Sequence, residues 1–318
     1  MAKHMLQLRV HSITYGAQGI LLFDLRNPEG GALPEFEAGA HIDIRMDNGL
    51  LRSYSLINSP ELRDRYVIAV LRHTHSRGGS AWLHDSARVG QSVAVSQPSN
   101  GFPLIQDAEH SVFIAGGIGI TPILGMIHQL NGSHRSWSLH YRFRHAESAL
   151  LPEELTDASV ASRVKISCGE TADRRSFDMA RIVGEAPPQS HLYCCGPPSL
   201  IEAFLETAKL RPSEYVHVEY FEAAENPSLD GGFMVRLARS GKTIAMLPGK
   251  SILAAVRDLG IEAPYSCQEG LCGECETRVI VGEPDHRDLF LTQAEKASGD
   301  KIMICCSGSK SPILELDL

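Results

Sequence analysis

Apolar and polar residues alternate in several short stretches of the first hundred residues. The stretches HIDIRM (41–46), YVIAV (66–70) and QSVAVSQ (91–97) have the period of two that is typical of strands with one buried face. Turn-forming Gly, Pro and Asn residues separate these stretches. The pattern predicts a small, closed antiparallel β-barrel over residues 1–105.

The pattern changes at Ser111. The segment SVFIAGGIGITPILGMIHQL (111–130) is a continuous apolar strand, a glycine turn and then apolar residues at helical spacing. Thr121 is the expected cap of this helix, and Pro122 suits its first turn. Further strands are predicted at WSLHYRFR (137–144), VKISCG (164–169) and HLYCC (191–195), the last followed by a helix. This alternation predicts an α/β domain with a parallel sheet over residues 106–222, and ligand sites at the carboxyl ends of its strands.

A third region follows a linker of small, acidic and turn residues at 223–232. An alternating stretch begins at Phe233, a turn is expected at Ser240–Gly241, and a second strand precedes an amphipathic helix from Ser251 to Leu259. Ser251 is the expected N-cap of that helix and Gly260 its C-cap. Residues 233–318 are therefore predicted to form a small sheet packed on one helix, with a cysteine-rich loop.

Composition limits the possible functions. The chain has 318 residues, enough for two or three domains with separate cores, and its formal net charge of −8 argues against nucleic acid binding. The N-terminal stretch lacks the apolar run of a secretory signal or membrane span, so we expect a cytoplasmic protein. Thiols stay reduced there, and the eight cysteines are expected to bind metal or do chemistry. His73 and His75 have no partner at zinc-motif spacing and are expected on a solvated loop.

Four of the cysteines have the spacing of an iron–sulfur site. The order is Cys267-x4-Cys272-x2-Cys275 and then, after 29 residues, Cys305, as in plant-type 2Fe-2S ferredoxins. Gly270 and Gly273 are expected to let the loop backbone approach the inorganic sulfides. Cys306 competes with Cys305 for the fourth position, and we prefer Cys305. Zinc is the alternative, although a zinc site usually has a second C-x2–4-C pair, which is missing here.

A flavin site is predicted in the first domain. In the strand LLRSYSLINSP (50–60), Arg52 and Tyr54 fall on one side, giving a cation for a phosphate and an aromatic face for a planar ring, while Ser55 adds a donor. The turn Arg77-Gly78-Gly79-Ser80 before a short helix offers backbone amides to a phosphate. An ordinary strand with a surface arginine is the alternative interpretation of Arg52.

A dinucleotide site is predicted in the second domain. Gly116, Gly117 and Gly119 allow the backbone to approach a pyrophosphate at the helix N-terminus, although Pro122 stands where the Rossmann motif has its third glycine. The last long strand ends in Cys195-Gly196-Pro197. Arg142 and Arg144 follow the second strand, where the ribose edge would lie, and either could accept the 2′-phosphate of NADPH.

Taken in this order, the motifs resemble the phthalate dioxygenase reductase family, which includes reductases of the vanillate demethylase type. Residues 230–318 look like a plant-type ferredoxin of β-grasp fold, and EPDHRDLFLT (283–292) and CCSGSKSPILELDL (305–318) resemble the family's segments, with Gly308 where Arg is usual. The resemblance implies FMN rather than FAD, NADH rather than NADPH, and a 2Fe-2S cluster. It also implies the site residues: Arg52, Tyr54, Ser55, Ala69, Val70, Leu71, Gly78, Gly79, Ser80 and Phe221 around the flavin; Cys195, Gly196 and Pro197 against the nicotinamide; and Cys267, Cys272, Cys275 and Cys305 on the cluster.

The resemblance also implies a function. NADH would pass hydride to flavin N5 beside Ser55 and Cys195, and electrons would leave singly through the cluster to a Rieske-type oxygenase. Glu269, Glu274 and Glu276 lie around the cluster loop, so we expect a basic surface on the partner, unless these acids serve only solubility. Cys195 could also be merely structural. Two other functions stay open: an electron-transfer subunit for a haem monooxygenase or dehydrogenase, and a non-catalytic protein in which the cysteines hold zinc or sense redox state.

Overall fold

The computed structural model describes residues 5–47, 49–73, 78–131, 133, 135–169, 177–221 and 227–318. The chain divides into two compact units, with the division between Phe221 and Glu222. His75, Arg77 and residues 223–226 of the predicted linker lie outside the described residues. Within the described part of the chain, none of the helices is long and apolar enough to cross a bilayer.

The first sheet is antiparallel and has six strands. They are β1 Met5–Ala17, β2 Ile20–Arg26, β3 His41–Arg45, β4 Leu51–Ser55, β5 Tyr66–Leu71 and β6 Ser92–Ser96, in the order β4-β3-β6-β1-β2-β5. A bridge between Leu56 and Ile68 joins the two edges, so the sheet closes on itself as predicted. The alternating apolar residues meet inside, where Val10, Phe23 and Ile44 are fully buried. Helix α1, Gly79–Asp85, follows β5.

The second sheet is parallel and has five strands. They are β7 His110–Gly116, β8 Ser136–Phe143, β9 Val164–Cys168, β10 His191–Cys195 and β11 Val216–Glu219, in the order β11-β10-β7-β8-β9. Helices α2 Ile120–Asn131, α3 Glu153–Thr156, α4 Met179–Glu185 and α5 Pro198–Ala208 connect them. The two faces of β7 enter different clusters, Phe113 with α2 and Ile114 with α4 and α5, which explains its continuous apolar run. The predicted α/β architecture is confirmed.

The strand order reverses at β7. The chain runs from β7 to β8 and β9 on one side and then returns to β10 and β11 on the other, so a crevice opens at the carboxyl ends of β7 and β10. The cluster of buried residues on the α2 face of this sheet also includes Ile20 and Ala69 of the barrel. The barrel and the parallel sheet therefore share one core within the same compact unit.

Two local predictions in this sheet were wrong. Thr121 does not cap α2: a 3-10 turn, Gly117–Gly119, continues directly into the helix at Ile120, so Thr121 is already in the first turn and donates its hydroxyl to the Ile118 carbonyl at 3.0 Å. Arg142 lies within β8 rather than after it, because the ladder with β9 extends to Phe143.

The second unit holds a mixed sheet with two helices. Its elements are β12 Met234–Leu237, β13 Thr243–Ala245, α6 Ile252–Asp258, β14 Glu276–Val281, β15 Pro284–Asp285, α7 Gln293–Ser298, β16 Lys301–Met303, β17 Gly308–Ser309 and β18 Ile313–Leu316. The main sheet has the order β13-β12-β18-β14-β16, and β15 pairs with β17. The predicted cap of α6 is confirmed, because Ser251 accepts a hydrogen bond from the Ala254 amide at 3.2 Å. Val235, Val256 and Leu314 are fully buried between the sheet and α6.

Candidate functional site

The four predicted cluster cysteines lie together in the second unit as two pairs. Hydrogen-bonding contact with Cys272, together with burial, raises the pKa of the Cys267 thiol. Contact with Cys275 and then Cys306, together with burial, raises the pKa of Cys305. Cys272 is half-buried, and the other three members of the two pairs are buried. One pair is thus Cys267 with Cys272, and the other is Cys275 with Cys305.

Backbone amides of the loop point at the first pair. The amides of Glu269 and Leu271 donate to Cys267 Sγ at 3.3 and 3.4 Å, and the Cys267 amide donates to Cys272 Sγ at 3.4 Å. The loop reaches this geometry through two positive φ angles, 59° at Gln268 and 74° at Gly270. Such donors stabilise negative charge on sulfur, so the loop is built for thiolates.

The loop glycines also allow a close packing contact within this unit, beside the predicted approach to the sulfides, which stays a prediction. A Cβ on Gly270 would lie 2.5 Å from Cys306 Sγ and 3.0 Å from Asp288 Cα, and a Cβ on Gly273 would lie 2.3 Å from the Phe290 ring. The space beside both glycines is therefore filled by the protein itself. The segment 288–290 packs directly against the loop, and the Leu289 amide donates to the Gly270 carbonyl at 3.0 Å.

The arrangement of the thiols fits a two-iron cluster. A structural zinc ion takes four donors around one point, whereas the thiol contacts here join the four predicted ligands two by two. Each iron of a 2Fe-2S cluster takes two protein ligands beside the bridging sulfides. Two thiol pairs with amide donors therefore match the 2Fe-2S group better than zinc.

The structure brings together the predicted phosphate-binding residues of the barrel. A Cβ on Gly79 would lie 2.6 Å from Arg52 Cγ, so the turn before α1 packs directly on the arginine side chain. Gly78 has a φ of 94° and is the N-cap residue of α1, and Ser80 Oγ accepts from the His73 amide at 3.3 Å. Arg52 and the Gly78–Gly79–Ser80 turn thus form one site, although they are far apart in sequence.

The remaining barrel residues of the predicted flavin site lie on neighbouring strands. Tyr54 packs partly against the barrel core, and Ser55 is buried at the end of β4. On β5, Ala69 and Leu71 face the core shared with the parallel sheet, whereas Val70 points into the barrel and its carbonyl contacts the His84 ring at 2.9 Å. Any contact from Val70 to a surface ligand would thus involve its backbone only.

Two glycine turns meet at the crevice of the parallel sheet. A Cβ on Gly119 would lie 2.4 Å from the Cys195 carbonyl oxygen, and a Cβ on Gly196 would lie 3.0 Å from Gly116 Cα. Gly117 has a φ of 53° and faces open space. Pro197 also touches this turn, since a Cβ on Gly116 would lie 2.7 Å from its Cδ. The predicted pyrophosphate turn and the Cys195-Gly196-Pro197 turn are therefore in backbone contact.

Cys195 is fully buried at the end of β10 and is not an exposed nucleophile. Burial, then the neighbouring Glu219 and Cys194, raise the pKa of its thiol well above the ordinary value. Phe221, the predicted flavin neighbour, packs against the same core. Cys194 lies on the opposite face of the sheet, packed in the strand as expected.

Glu219 is a candidate site residue that the sequence analysis missed. It pairs in register with Cys195 at the carboxyl edge of the sheet. Although the residue keeps some exposed surface, its Oε2 atom is buried and has no hydrogen-bond partner among the described residues. Burial raises the pKa of this carboxyl from 4.5 to about 8. The available signal was an acidic residue at the end of the short strand VHVE, where ligands of a parallel sheet bind.

The two arginines lie at the same edge, beside the glycine turn. Arg142 pairs in register with Gly116 and its guanidinium lies 5.6 Å from the centre of the Phe177 ring. Arg144 follows β8, and its carbonyl accepts from the Cys168 thiol at 3.6 Å. Both side chains are exposed, as a role at the ribose edge would require.

Comparison with known proteins covers the whole chain. Residues 235–309 match the family model described as the 2Fe-2S iron-sulfur cluster binding domain. The chain is 51% identical to phenoxybenzoate dioxygenase subunit beta of Ectopseudomonas oleovorans, over 98% of this chain and 97% of that protein. It is 41% identical to phthalate dioxygenase reductase of Burkholderia cepacia, over 98% of this chain and 97% of that protein.

Solved structures of two kinds of protein resemble the fold over 99% of this chain. One is phthalate dioxygenase reductase, described as a modular structure for electron transfer from pyridine nucleotides to 2Fe-2S, with a TM-score of 0.78, 41% identity and 98% of that chain covered. The other is an intact type IV self-sufficient cytochrome P450 monooxygenase, with a TM-score of 0.85 and 36% identity, of which 41% is covered.

Proposed function

Because the chain belongs to the phthalate dioxygenase reductase family, we propose that it is the reductase component of a Rieske-type oxygenase or demethylase. The chain is an oxidoreductase that carries electrons from NADH through FMN and a 2Fe-2S cluster to an oxygenase. The observation that carries the proposal is the pairing of four thiols in a chain that also has the barrel and the parallel sheet. All eight cysteines are free thiols, which supports a reducing compartment such as the cytoplasm.

The barrel residues would hold the flavin. Bound FMN supplies the conversion of a hydride into single electrons, which neither the nucleotide nor the cluster can do alone. Arg52 would neutralise the phosphate while the amides of the Gly78–Gly79–Ser80 turn donate to it. Tyr54 would cover the ring, with Ala69, Val70 and Leu71 alongside and Phe221 on the other face. Ser55 would donate a hydrogen bond near N5.

The crevice of the parallel sheet would hold NADH. The turn at Gly116, Gly117 and Gly119, with Thr121 and Pro122 in the following helix, leaves room for the pyrophosphate. Cys195, Gly196 and Pro197 would form the wall against the nicotinamide, and Arg142 and Arg144 would lie at the ribose edge. The protein's contribution to hydride transfer is the positioning of the two rings and the exclusion of water.

Glu219 would hold a proton at this site. Since burial raises its pKa to about 8, the carboxyl is neutral at pH 7 and places no negative charge beside Cys195. A neutral Oε2 can donate a hydrogen bond to the nicotinamide carboxamide, and so orient the ring.

We propose that the oxygenase docks on the surface around the cluster loop, formed by Glu269, Glu274 and Phe290. Phe290 is 41% exposed and packs on Gly273 of the loop, so an apolar anchor adjoins two acids that are half-buried. Glu276 contributes less charge than expected, because Lys301 neutralises it at 3.1 Å. A basic partner surface would follow, and the rate of electron transfer would fall as salt rises. A rate indifferent to ionic strength would contradict this docking model.

A haem monooxygenase partner is the second candidate, because the chain matches 41% of a self-sufficient cytochrome P450 at a TM-score of 0.85. One experiment distinguishes the two candidate functions. The NADH-reduced protein is mixed with an isolated Rieske oxygenase or with an isolated P450 haem domain, and reoxidation of the cluster is followed. Fast reoxidation by the Rieske protein alone supports the proposal. Fast reoxidation by the haem domain alone would contradict the proposal and support a haem monooxygenase as the partner.

A further inference from the structure

Helix α2 contacts the barrel through a glycine and a histidine on one of its faces. Gly125 and His128 are three residues apart, so they are neighbours on the helix surface. A Cβ on Gly125 would lie 2.8 Å from the carbonyl oxygen of Leu56. His128 Nδ1 lies 2.7 Å from the carbonyl oxygen of Ile57, and because a carbonyl only accepts, the ring nitrogen donates. Two consecutive backbone carbonyls of the barrel thus face this side of α2.

The barrel segment that carries these carbonyls is itself held by hydrogen bonds. The Leu56 amide donates to the Ala40 carbonyl at 2.8 Å. The Ile57 amide donates to the Val67 carbonyl at 2.9 Å. Asn58 is 6% exposed, and its side-chain oxygen accepts from the Val67 amide at 2.8 Å. The segment therefore cannot yield to α2 without breaking hydrogen bonds inside the barrel.

The glycine in α2 has a packing reason. Glycine destabilises the middle of a helix by about 0.5–1 kcal/mol relative to alanine. At Gly125 any larger residue would push the helix away from the Leu56 carbonyl, which is backbone and cannot rotate aside as a side chain can. Gly184 in helix α4 differs, because a Cβ there would meet open space. The helix α2 thus lies as close to the barrel segment as two backbones allow.

This contact lies between the two proposed binding sites. Helix α2 follows the glycine turn proposed for the pyrophosphate, and Thr121 precedes Gly125 by about 6 Å along the helix axis. The barrel segment begins directly after Ser55, the residue proposed to donate near flavin N5. A shift of α2 against residues 56–58 would therefore move the nucleotide relative to the flavin.

We propose that Gly125 and His128 are positioning residues that set the distance between the nicotinamide and the flavin ring for hydride transfer. The inference rests on the proposed FMN and NADH sites. A misplacement of about 1 Å far from the reacting atoms can lower a rate 100-fold. A Cβ on Gly125 would have to retreat by about 0.7 Å to reach an ordinary contact distance. A clear loss of rate should therefore follow from adding a single methyl group.

The test is the limiting rate of flavin reduction at saturating NADH, measured by anaerobic stopped-flow on the full-length protein and expressed per bound flavin. Gly125→Ala and His128→Ala should each lower this rate about tenfold, with little change in the dissociation constant of NADH from the same titration. His128→Asn keeps an N–H donor near the position of Nδ1 and should stay close to the wild-type rate. Gly184→Ala, exposed on α4, is the matched control and should react as the wild type does.

Three outcomes would overturn the proposal. Wild-type rates per bound flavin in both Gly125→Ala and His128→Ala would make the contact merely structural, even if thermal stability or flavin content falls. A loss confined to the dissociation constant of NADH would assign the contact to nucleotide binding. A His128→Asn variant as slow as His128→Ala would show that the hydrogen bond does not position the helix. If Gly125→Ala does not fold, the two His128 variants still decide. A wild-type flavin that NADH does not reduce would instead refute the proposed function.

Discussion

The buried carboxyl of Glu219 gives the clearest quantitative prediction. Between pH 4.5 and about 8 the folded protein holds a proton on Glu219 that the unfolded chain has released. The contribution of Glu219 to the free energy of unfolding must therefore fall as pH rises through this window, by about 1.4 kcal/mol for each pH unit. Above pH 8 both states are ionised and the loss is complete. Glu219→Gln cannot ionise, so it removes this dependence.

The magnitude follows from the pH interval. The quantity to compare is the free energy of unfolding of Glu219→Gln minus that of the wild type. This difference should be roughly 3 kcal/mol more favourable to the variant at pH 7 than at pH 4.5. Urea unfolding of the flavin-bound protein at several pH values measures this free energy. The unfolding is monitored by flavin release and by far-ultraviolet circular dichroism. Glu206→Gln is the matched control, because Glu206 is exposed on α5 and should leave the pH dependence unchanged.

The refuting result is specific. If wild type and Glu219→Gln lose stability in parallel between pH 5 and pH 8, the carboxyl is ionised in the folded state and cannot hold a proton beside Cys195. The same pair of proteins extends the test to hydride transfer. The rate of flavin reduction by NADH should change above pH 8 in wild type, where a buried charge appears, and should stay flat in the variant.

Four further predictions test the other sites. Cys267→Ala should abolish the cluster absorbance but leave flavin reduction by NADH intact, as stopped-flow at two wavelengths would show. Arg52→Met should weaken FMN binding at least tenfold in ultrafiltration, because the phosphate loses its cation. Gly119→Ala should raise the KM for NADH and lower the thermal stability, because its Cβ would lie 2.4 Å from the Cys195 carbonyl oxygen. Phe290→Ala should slow cluster reoxidation by the oxygenase at least tenfold with flavin reduction unchanged, and an unchanged rate would contradict the docking surface.

The sequence was most informative where the chemistry fixes the spacing of residues. Four thiolates must reach one small cluster, so spacing alone predicted Cys267, Cys272 and Cys275 as ligands and left Cys305 and Cys306 as the candidates for the fourth position. Their division into two pairs could not be read, because it depends on how residues 288–290 and the neighbouring Cys306 pack against the loop. The alternating and continuous apolar patterns likewise predicted the barrel and the parallel sheet, since burial on one or two faces dictates them.

What the sequence could not predict arises from contacts between distant segments. Glu219 looks like any strand acid until the register places it beside Cys195 and desolvates it. Thr121 has the chemistry of a cap, but the preceding 3-10 turn moves the helix start upstream. Gly308 departs from the family's arginine, and a Cβ there would lie 2.3 Å from Ser228 Oγ, so a side chain at this position requires Ser228 to move.

One measurement tests the electron relay most directly: the visible spectrum of the anaerobically purified protein during titration with NADH. The proposed function predicts overlapping flavin and iron–sulfur bands that bleach together, with three electrons taken up per chain, two by FMN and one by the cluster. Flavin bands that bleach without a cluster component would contradict the ligand set of Cys267, Cys272, Cys275 and Cys305. A colourless protein that does not oxidise NADH would contradict the electron relay itself and would favour zinc binding by the cysteines.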